Sequence, residues 1–281
     1  MRPHFDYESV GRSQTPKLKG FAVKRFLLAT AAAAFLIAGP ASADPLSLLY
    51  GYSLSATFQA AAAPSYQGSH KYSVFPSGNV SVTHPWQFDD YAAPDDAASL
   101  ALYNSKFASF GLAAAIIEDR GNSHELQGMR NIGWGGETGG FVNVWPMPWL
   151  RLRVEALKGV FAEDGLLVNT SADVVAHEGP WMFSVGPRFS WADDHYNGTY
   201  FGVTPGEALA SRRYAAYQAN GGPLFAGLEA ATEVKVTSRW RLTLNGTYHR
   251  LLSEDAASPL VRQAGTADQF AVASGVRFLL N

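Results

Sequence analysis

The sequence predicts an all-β protein, a closed antiparallel transmembrane β-barrel of about twelve strands, with about ten as the alternative. Three observations carry that expectation. Long stretches alternate with a period of two, one of their faces is bare of charge while the other carries Arg, Glu, Asp and Lys, and long connections alternate with short ones. The final stretch, 269–278, sets the pattern. Phe270, Val272, Ser274, Val276 and Phe278 share one face, and Ala271, Ala273, Gly275 and Arg277 share the other.

Composition removes other classes. The 281 residues hold no Cys, 27 Gly and 13% aromatic side chains, with a formal net charge of -2. Disulfides and thiolate metal sites are excluded, and without a basic stripe nucleic acid is not an expected partner. A mean hydropathy near zero excludes a helical membrane protein but not a barrel, in which half of each strand is polar.

The N-terminus reads as an address. Lys24 and Arg25 precede an apolar run over 26–38 that ends in Gly39-Pro40-Ala41-Ser42-Ala43, a charged, a hydrophobic and a cleavage region in order. The run is shorter than the roughly 20 residues of a spanning helix. Cleavage is expected between Ala43 and Asp44, giving a signal segment over 1–43, with an over-long leader over 1–22, and a barrel over 44–281.

Along the mature chain, a first strand is expected from Leu46 to Phe58. Residues 72–75 and 80–88 read as a hairpin around Pro76-Ser77-Gly78-Asn79, and 89–105 as a loop whose 95–103 portion suits a short helix. A strand follows over 106–117. Weaker strands are expected over 127–135 and 140–145, split by Gly135-Gly136-Glu137-Thr138-Gly139. After Pro148 the alternation sharpens through stretches near 150–156, 166–174, 181–191, 224–236, 240–248 and 270–278. Working back from the C-terminus, 253–268 and 193–222 are long and belong outside, whereas 237–238 and 177–179 are short and belong on the periplasmic side. A soluble periplasmic sandwich would also alternate, but its second face would not be so consistently charged at mid-strand.

The inward set is the candidate site: Arg151, Arg153, Glu155, Asp173, Arg188, Glu229, Glu233, Lys235, Arg241 and Arg277. Opposite charges on neighbouring strands are expected to pair, because unpaired ions in a narrow interior are costly. The same set would suit a channel lining for small charged solutes. Catalysis is not expected, and a barrel lipid hydrolase is the last alternative. His195, His249, Ser184 and Ser190 are available, but no Ser–His spacing joins them. The acidic pairs Asp89-Asp90, Asp95-Asp96 and Asp193-Asp194 read as solvated outer loops without the spacing of a metal site, and no cofactor is expected. The seven Trp read as interface anchors.

The run from Trp191-Ala192-Asp193-Asp194-His195-Tyr196-Asn197-Gly198 to Thr204 resembles the signature of the MipA/OmpV family. So do Glu207-Ala208-Leu209-Ala210-Ser211, Tyr217-Gln218-Ala219-Asn220-Gly221-Gly222, Tyr248-His249-Arg250-Leu251-Leu252, Asp255-Ala256-Ala257-Ser258-Pro259-Leu260-Val261 and the earlier Pro64-Ser65-Tyr66-Gln67-Gly68-Ser69. Two features depart from the family pattern. Arg212-Arg213 follows Ser211 where a small residue, often Gly, is usual, and Leu279-Leu280-Asn281 follows Phe278 where an aromatic end is usual. The resemblance implies a bacterial outer-membrane β-barrel set in outer-membrane lipid and lipopolysaccharide and inserted by the barrel assembly machinery. It further implies a scaffold for periplasmic murein-remodelling enzymes, a lytic transglycosylase and a penicillin-binding protein, with solute passage as an alternative. It supplies no catalytic residues.

Overall fold

The computed structural model describes residues 53–83, 91–117, 119–121 and 123–280. The expected signal segment, its Ala43–Asp44 cleavage position, Asp89-Asp90 and Trp86 lie outside the described residues.

Among the described residues eleven strands form the wall: β1 Ser53–Pro64, β2 Tyr72–Thr83, β3 Ala98–Asn104, β4 Ala108–Ile117, β5 Gly135–Met147, β6 Leu150–Phe161, β7 Leu166–Glu178, β8 Trp181–Ala192, β9 Gly222–Lys235, β10 Trp240–Leu251 and β11 Asp268–Leu279. Each pairs antiparallel with its sequence neighbour from β3 to β11, and β1 pairs antiparallel with both β2 and β11. The one different junction lies between β2 and β3. Among the described residues they run parallel and meet through one ladder pair, Val82 with Leu100.

The strand phase follows from alternation. In β8 every second residue from Met182 to Ala192 is buried and every second one from Trp181 to Trp191 is exposed. Exposed residues on neighbouring strands continue that apolar surface: Val154, Val174, Phe183, Val185, Leu228, Leu242, Leu244, Phe270 and Val272. Such a belt has nowhere to hide in water and fits lipid. Aromatic side chains stand near its ends, with Trp181 stacked on Phe183 at 6.0 Å and Trp240 against Phe278 at 4.7 Å. Trp145 corrects the expectation of a uniform interface role. It is buried on the inner face, edge-on to Tyr91 at 6.4 Å.

Three further expectations are corrected. The 76–79 turn is absent, because β2 runs unbroken with Pro76 opposite Ala60 and Gly78 opposite Phe58. Beyond Val82 the other side of β2 has no paired strand among the described residues, the edge setting in which a strand accommodates proline. The two weak strands over 127–145 are one strand, β5, and 127–134 is loop. The glycines that read as a turn allow close strand contact instead. A Cβ at Gly139 would stand 1.8 Å from the Ala156 carbonyl oxygen. Finally, 89–105 is not one loop, and its expected helix is strand β3. Because β2 and β3 run the same way, the chain must climb back between them, and residues 91–97 do so along the inner face of the wall.

The connections sort by end. At the end where β1 begins and β11 ends the hairpin connections are short: 105–107, 148–149, 179–180 and 236–239. At the other end 65–71, 118–134, 193–221 and 252–267 are long, and the short turn over 162–165 joins them. The described parts of the long segments fold together as a cap containing four helices, α1 Asp194–Tyr200, α2 Pro205–Ser211, α3 Ser253–Ala257 and α4 Pro259–Ala264. Asp193 caps α1 by accepting from the Tyr196 amide at 2.9 Å, and Thr204 and Glu207 form a capping box on α2. Ile132, Tyr196, Tyr200, Phe201, Leu224, Leu251 and Val261 pack as the core beneath. The cap is also stitched across loops. The Arg120 guanidinium donates to the Tyr200 carbonyl at 2.7 Å, the Ser258 hydroxyl to the Phe201 carbonyl at 2.6 Å, and Asn197 Nδ2 to the Asn220 carbonyl at 2.8 Å.

Arg212 ends α2 in the left-handed region, at φ 52° and ψ 16°. That conformation costs a side-chain-bearing residue about 1–2 kcal/mol, and glycine is the usual occupant of such a helix end. Arg212→Gly is therefore expected to stabilise α2 by about 1 kcal/mol. Slower amide exchange over 205–211 checks this, and faster exchange would show that the arginine side chain contributes more than its backbone costs.

Candidate functional site

The inner face is built by strand phase and then closed by charge. Arg151, Arg153 and Glu155 are successive inward positions of β6 and all are buried. The β6–β7 register sets Arg151 directly opposite Asp173, and the β8–β9 register sets Gly186 opposite Glu229, leaving room for the Arg188 side chain to reach both acids.

A central cluster results. Arg151 Nη1 donates to Asp173 Oδ2 at 3.2 Å, and Arg153 Nη2 to Glu155 Oε2 at 2.9 Å. Arg188 Nη2 lies 2.8 Å from Asp173 Oδ1 and 3.2 Å from Glu229 Oε2. Neutral groups tie the cluster to the wall. Asn143 Oδ1 accepts from Arg153 at 3.2 Å, Glu155 Oε1 accepts from Asn169 at 3.1 Å, and Ser190 donates to Asn169.

A second cluster lies nearer the end where β1 begins and β11 ends. Arg241 pairs across the ladder with Arg277 on one side and Lys235 on the other, which is unfavourable for like charges. Glu233 resolves the conflict, 2.7 Å from Arg241 Nη1 and 3.1 Å from Arg277 Nη1. Lys235 stands apart, exposed at the end of β9.

Two residues that belong to the central cluster lie outside the sequence-derived set. Asp95 and Asp96, read there as part of an outer loop, sit in the inner segment 91–97. Asp95 takes Arg188 in a two-pronged contact, Oδ2 to Nε at 2.6 Å and Oδ1 to Nη2 at 3.2 Å. Asp96 lies 2.5 Å from Arg151 Nη2 and 3.4 Å from Arg153 Nε. A charge count does not find them. With Lys235 exposed, the inward cations Arg151, Arg153, Arg188, Arg241 and Arg277 face Glu155, Asp173, Glu229 and Glu233, and Glu137 of β5 is a further buried acid, so the balance does not point to Asp95 and Asp96.

The segment 91–97 thus straps the interior. It leaves β2 and β3 on one side of the ladder and reaches β8, which is six strands on from β2 one way and five the other. Tyr91 and Ala93 anchor its base against Trp145, Val175 and Met182, and Arg151 lies 5.2 Å from the Tyr91 ring centre. Asn79 Nδ2 donates to the Asp96 carbonyl at 3.1 Å. On the cap side of the strap lies a cavity of about 200 Å³ whose lining includes Gln67, Asp95, Arg153, Ser190, Tyr196 and His249. On the other side the space beside Thr57, Gln59, Asn245 and Arg277 shrinks to about 30 Å³, the share of one water.

Of the residues weighed for catalysis, Ser190 and His249 line the cap-side cavity, and His195 lies apart from it. His249 stacks on Phe225 at 4.1 Å, Ser190 is held by Asn169, and His195 is an exposed cap residue 3.9 Å from Asp193. Asp193 and Asp194 serve the cap, Asp194 accepting from the Gly221 amide. Among the described residues no group of three or more His, Cys, Asp or Glu is arranged to hold a metal ion.

The chain is similar to an outer membrane channel from Pseudomonas putida F1, at 12% identity over 86% of this chain and 100% of that one, with a TM-score of 0.38. It is similar to LpxR from Salmonella typhimurium at 10% identity over 80% and 99%, with a TM-score of 0.31. Neisserial surface protein A aligns at 11% identity over 81% and 96%, with a TM-score of 0.28. Superpositions this loose carry no inference about activity. No curated protein matches the sequence. The family model described as MltA-interacting protein MipA matches residues 57–279, so the chain belongs to that family and is a β-barrel of the bacterial outer membrane.

Proposed function

We propose that this protein is an occluded, non-enzymatic outer-membrane barrel that serves as an anchoring scaffold for periplasmic murein-remodelling enzymes. The observation that carries the reading is the strap. With Asp95 on Arg188 and Asp96 on Arg151 and Arg153, the interior is crossed at its middle and the cap lies over one mouth. A barrel of more than about eight strands encloses more than its own inward side chains fill, and here the strap occupies the middle of that space. In this reading the wall closes at the β2–β3 junction, the cap faces outward, and the end where β1 begins and β11 ends faces the periplasm. The family's description names an interaction with MltA, which supports a lytic transglycosylase as the partner. The periplasmic turns that would meet it are short but not featureless, with Phe107, Trp149 and Val236 exposed beside Lys106 and Arg239.

The test has two arms. Refolded protein in a planar bilayer is expected to be silent, and steady conductance would sink the occluded barrel. A purified lytic transglycosylase is expected to bind the detergent-solubilised barrel and to lose about tenfold in affinity when Phe107 and Trp149 are both changed to Ser, since buried aromatic anchors carry most of an interface's energy. Undiminished binding by that variant would remove the proposed docking surface.

A second reading, a narrow channel, is favoured by one observation. The central cluster pairs three arginines with three acids of the wall itself, so the wall stays paired without the strap.

A further inference from the structure

We infer that the strap over 91–97 is a displaceable plug, and that the lumen it fills is a conditional pore for small carboxylates. The inference rests on the occluded-barrel reading and goes beyond it.

Three features point the same way. The first is how the strap's middle is held. Its grip on the far wall is ionic, Asp95 on Arg188 and Asp96 on Arg151 and Arg153, and these are contacts that another anion can replace. The second is what the wall does when the strap leaves. Arg151 keeps Asp173, Arg153 keeps Glu155, and Arg188 keeps Asp173 and Glu229. No wall guanidinium is stranded, so departure does not leave the uncompensated buried ions that make most internal ion pairs irreplaceable. The third is the route of exit. The strap runs directly into β3, and among the described residues β3 meets β2 through the one ladder pair of Val82 with Leu100. Every other junction among the described residues is an antiparallel ladder of six or more pairs, some with a bulge. Movement of the strap disturbs the junction with the fewest ladder pairs among the described residues.

The chemistry of the vacated seats defines the solute. Asp95 presents a carboxylate to one guanidinium in planar, two-pronged geometry, and Asp96 presents one to two guanidiniums. A small carboxylate in transit meets the same donors. The cavity of about 200 Å³ on the cap side already reaches Arg153 and Arg188 and gives such a solute a place to wait.

The experiment uses the full chain in planar bilayers, with folding verified by heat-modifiable gel mobility. The D95N/D96N variant removes the strap's charge and leaves the wall pairs intact. It is expected to show discrete steps, at least tenfold more frequent than in the wild type, with a reversal potential favouring acetate over sodium in asymmetric sodium acetate. The chain has no Cys, so a tether is clean. Adding A93C and M182C, at two residues of one apolar cluster, should silence that variant when oxidised and restore conduction on reduction. A folded D95N/D96N barrel as silent as the wild type would overturn the inference, and so would conduction indifferent to the tether or selective for sodium. An A93C/M182C protein with Asp95 and Asp96 intact that conducts steadily when oxidised would instead overturn the occluded-barrel reading.

Discussion

Arg188→Met should destabilise the barrel by about 3–5 kcal/mol, the cost of leaving buried charge without its partner. Arg188 is buried and serves three acids from three elements: Asp95 of the strap, Asp173 of β7 and Glu229 of β9. Methionine fills the space and supplies no donor, so these carboxylates crowd together with one fewer cation. The contrast is Arg277→Met. Glu233 loses Arg277 but keeps Arg241 at 2.7 Å, so the loss there should be no more than about 1–2 kcal/mol, the worth of one charged hydrogen bond. Urea titration of both variants in micelles, followed by gel mobility, measures the ordering. Equal midpoints for the two would mean that the central cluster is no more important to the wall than the cluster around Glu233.

Asp255→Asn should remove most of the alkaline weakening of the cap. Asp255 opens α3, is fully buried, and both its carboxylate oxygens lack a hydrogen-bond partner. Burial, with Glu254 beside it, pushes its carboxyl up to about 8. The folded cap therefore holds a proton that the opened cap releases. The stability resting on that proton is complete below about pH 4, the ordinary carboxylate value, and is lost as pH rises through about 8. Within that window each pH unit removes up to about 1.4 kcal/mol of cap stability. Amide exchange over 253–264, corrected for intrinsic rates, should accelerate between pH 5 and pH 9 in the wild type and stay nearly flat in the variant. A wild-type profile without pH dependence would show that the carboxylate finds a partner when it ionises.

Much of the wall was legible because period-two alternation does not depend on what lies across the barrel. The inward phase of Arg151, Arg153, Glu155 and Arg188 follows from their neighbours Leu152, Val154, Pro187 and Phe189 alone. What was not legible is what breaks that period. Asp95 and Asp96 are buried by contacts to strands far away in sequence, and nothing local separates them from a solvated acidic loop. Strand β3 is seven residues, Ala98–Asn104, too short and too alanine-rich to announce a face. Gly139 reads as a turn until a second strand is laid against it. Pro76 reads as a break until it is known that β2 borders the junction with almost no pairing. The family motifs of the second half make sense only in the cap, where Asp193, Thr204, Glu207 and Ser258 end or begin helices too short to be read from periodicity.

The β2–β3 junction carries one more consequence. In a chain of consecutive hairpins the two ends of the polypeptide are commonly the last edges to meet, so the weakest line of a wall runs between its first and last strands. Here that line is fully zipped, from Ser55 with Leu279 to Ala62 with Val272. The weak line lies instead within the chain, between two strands that point the same way. Among the described residues this is the one place where two like-directed strands are neighbours. Stress from the surrounding bilayer is thus borne where the polypeptide is continuous. If the wall parts there, the strap remains covalently attached to β3 and can find its seats again.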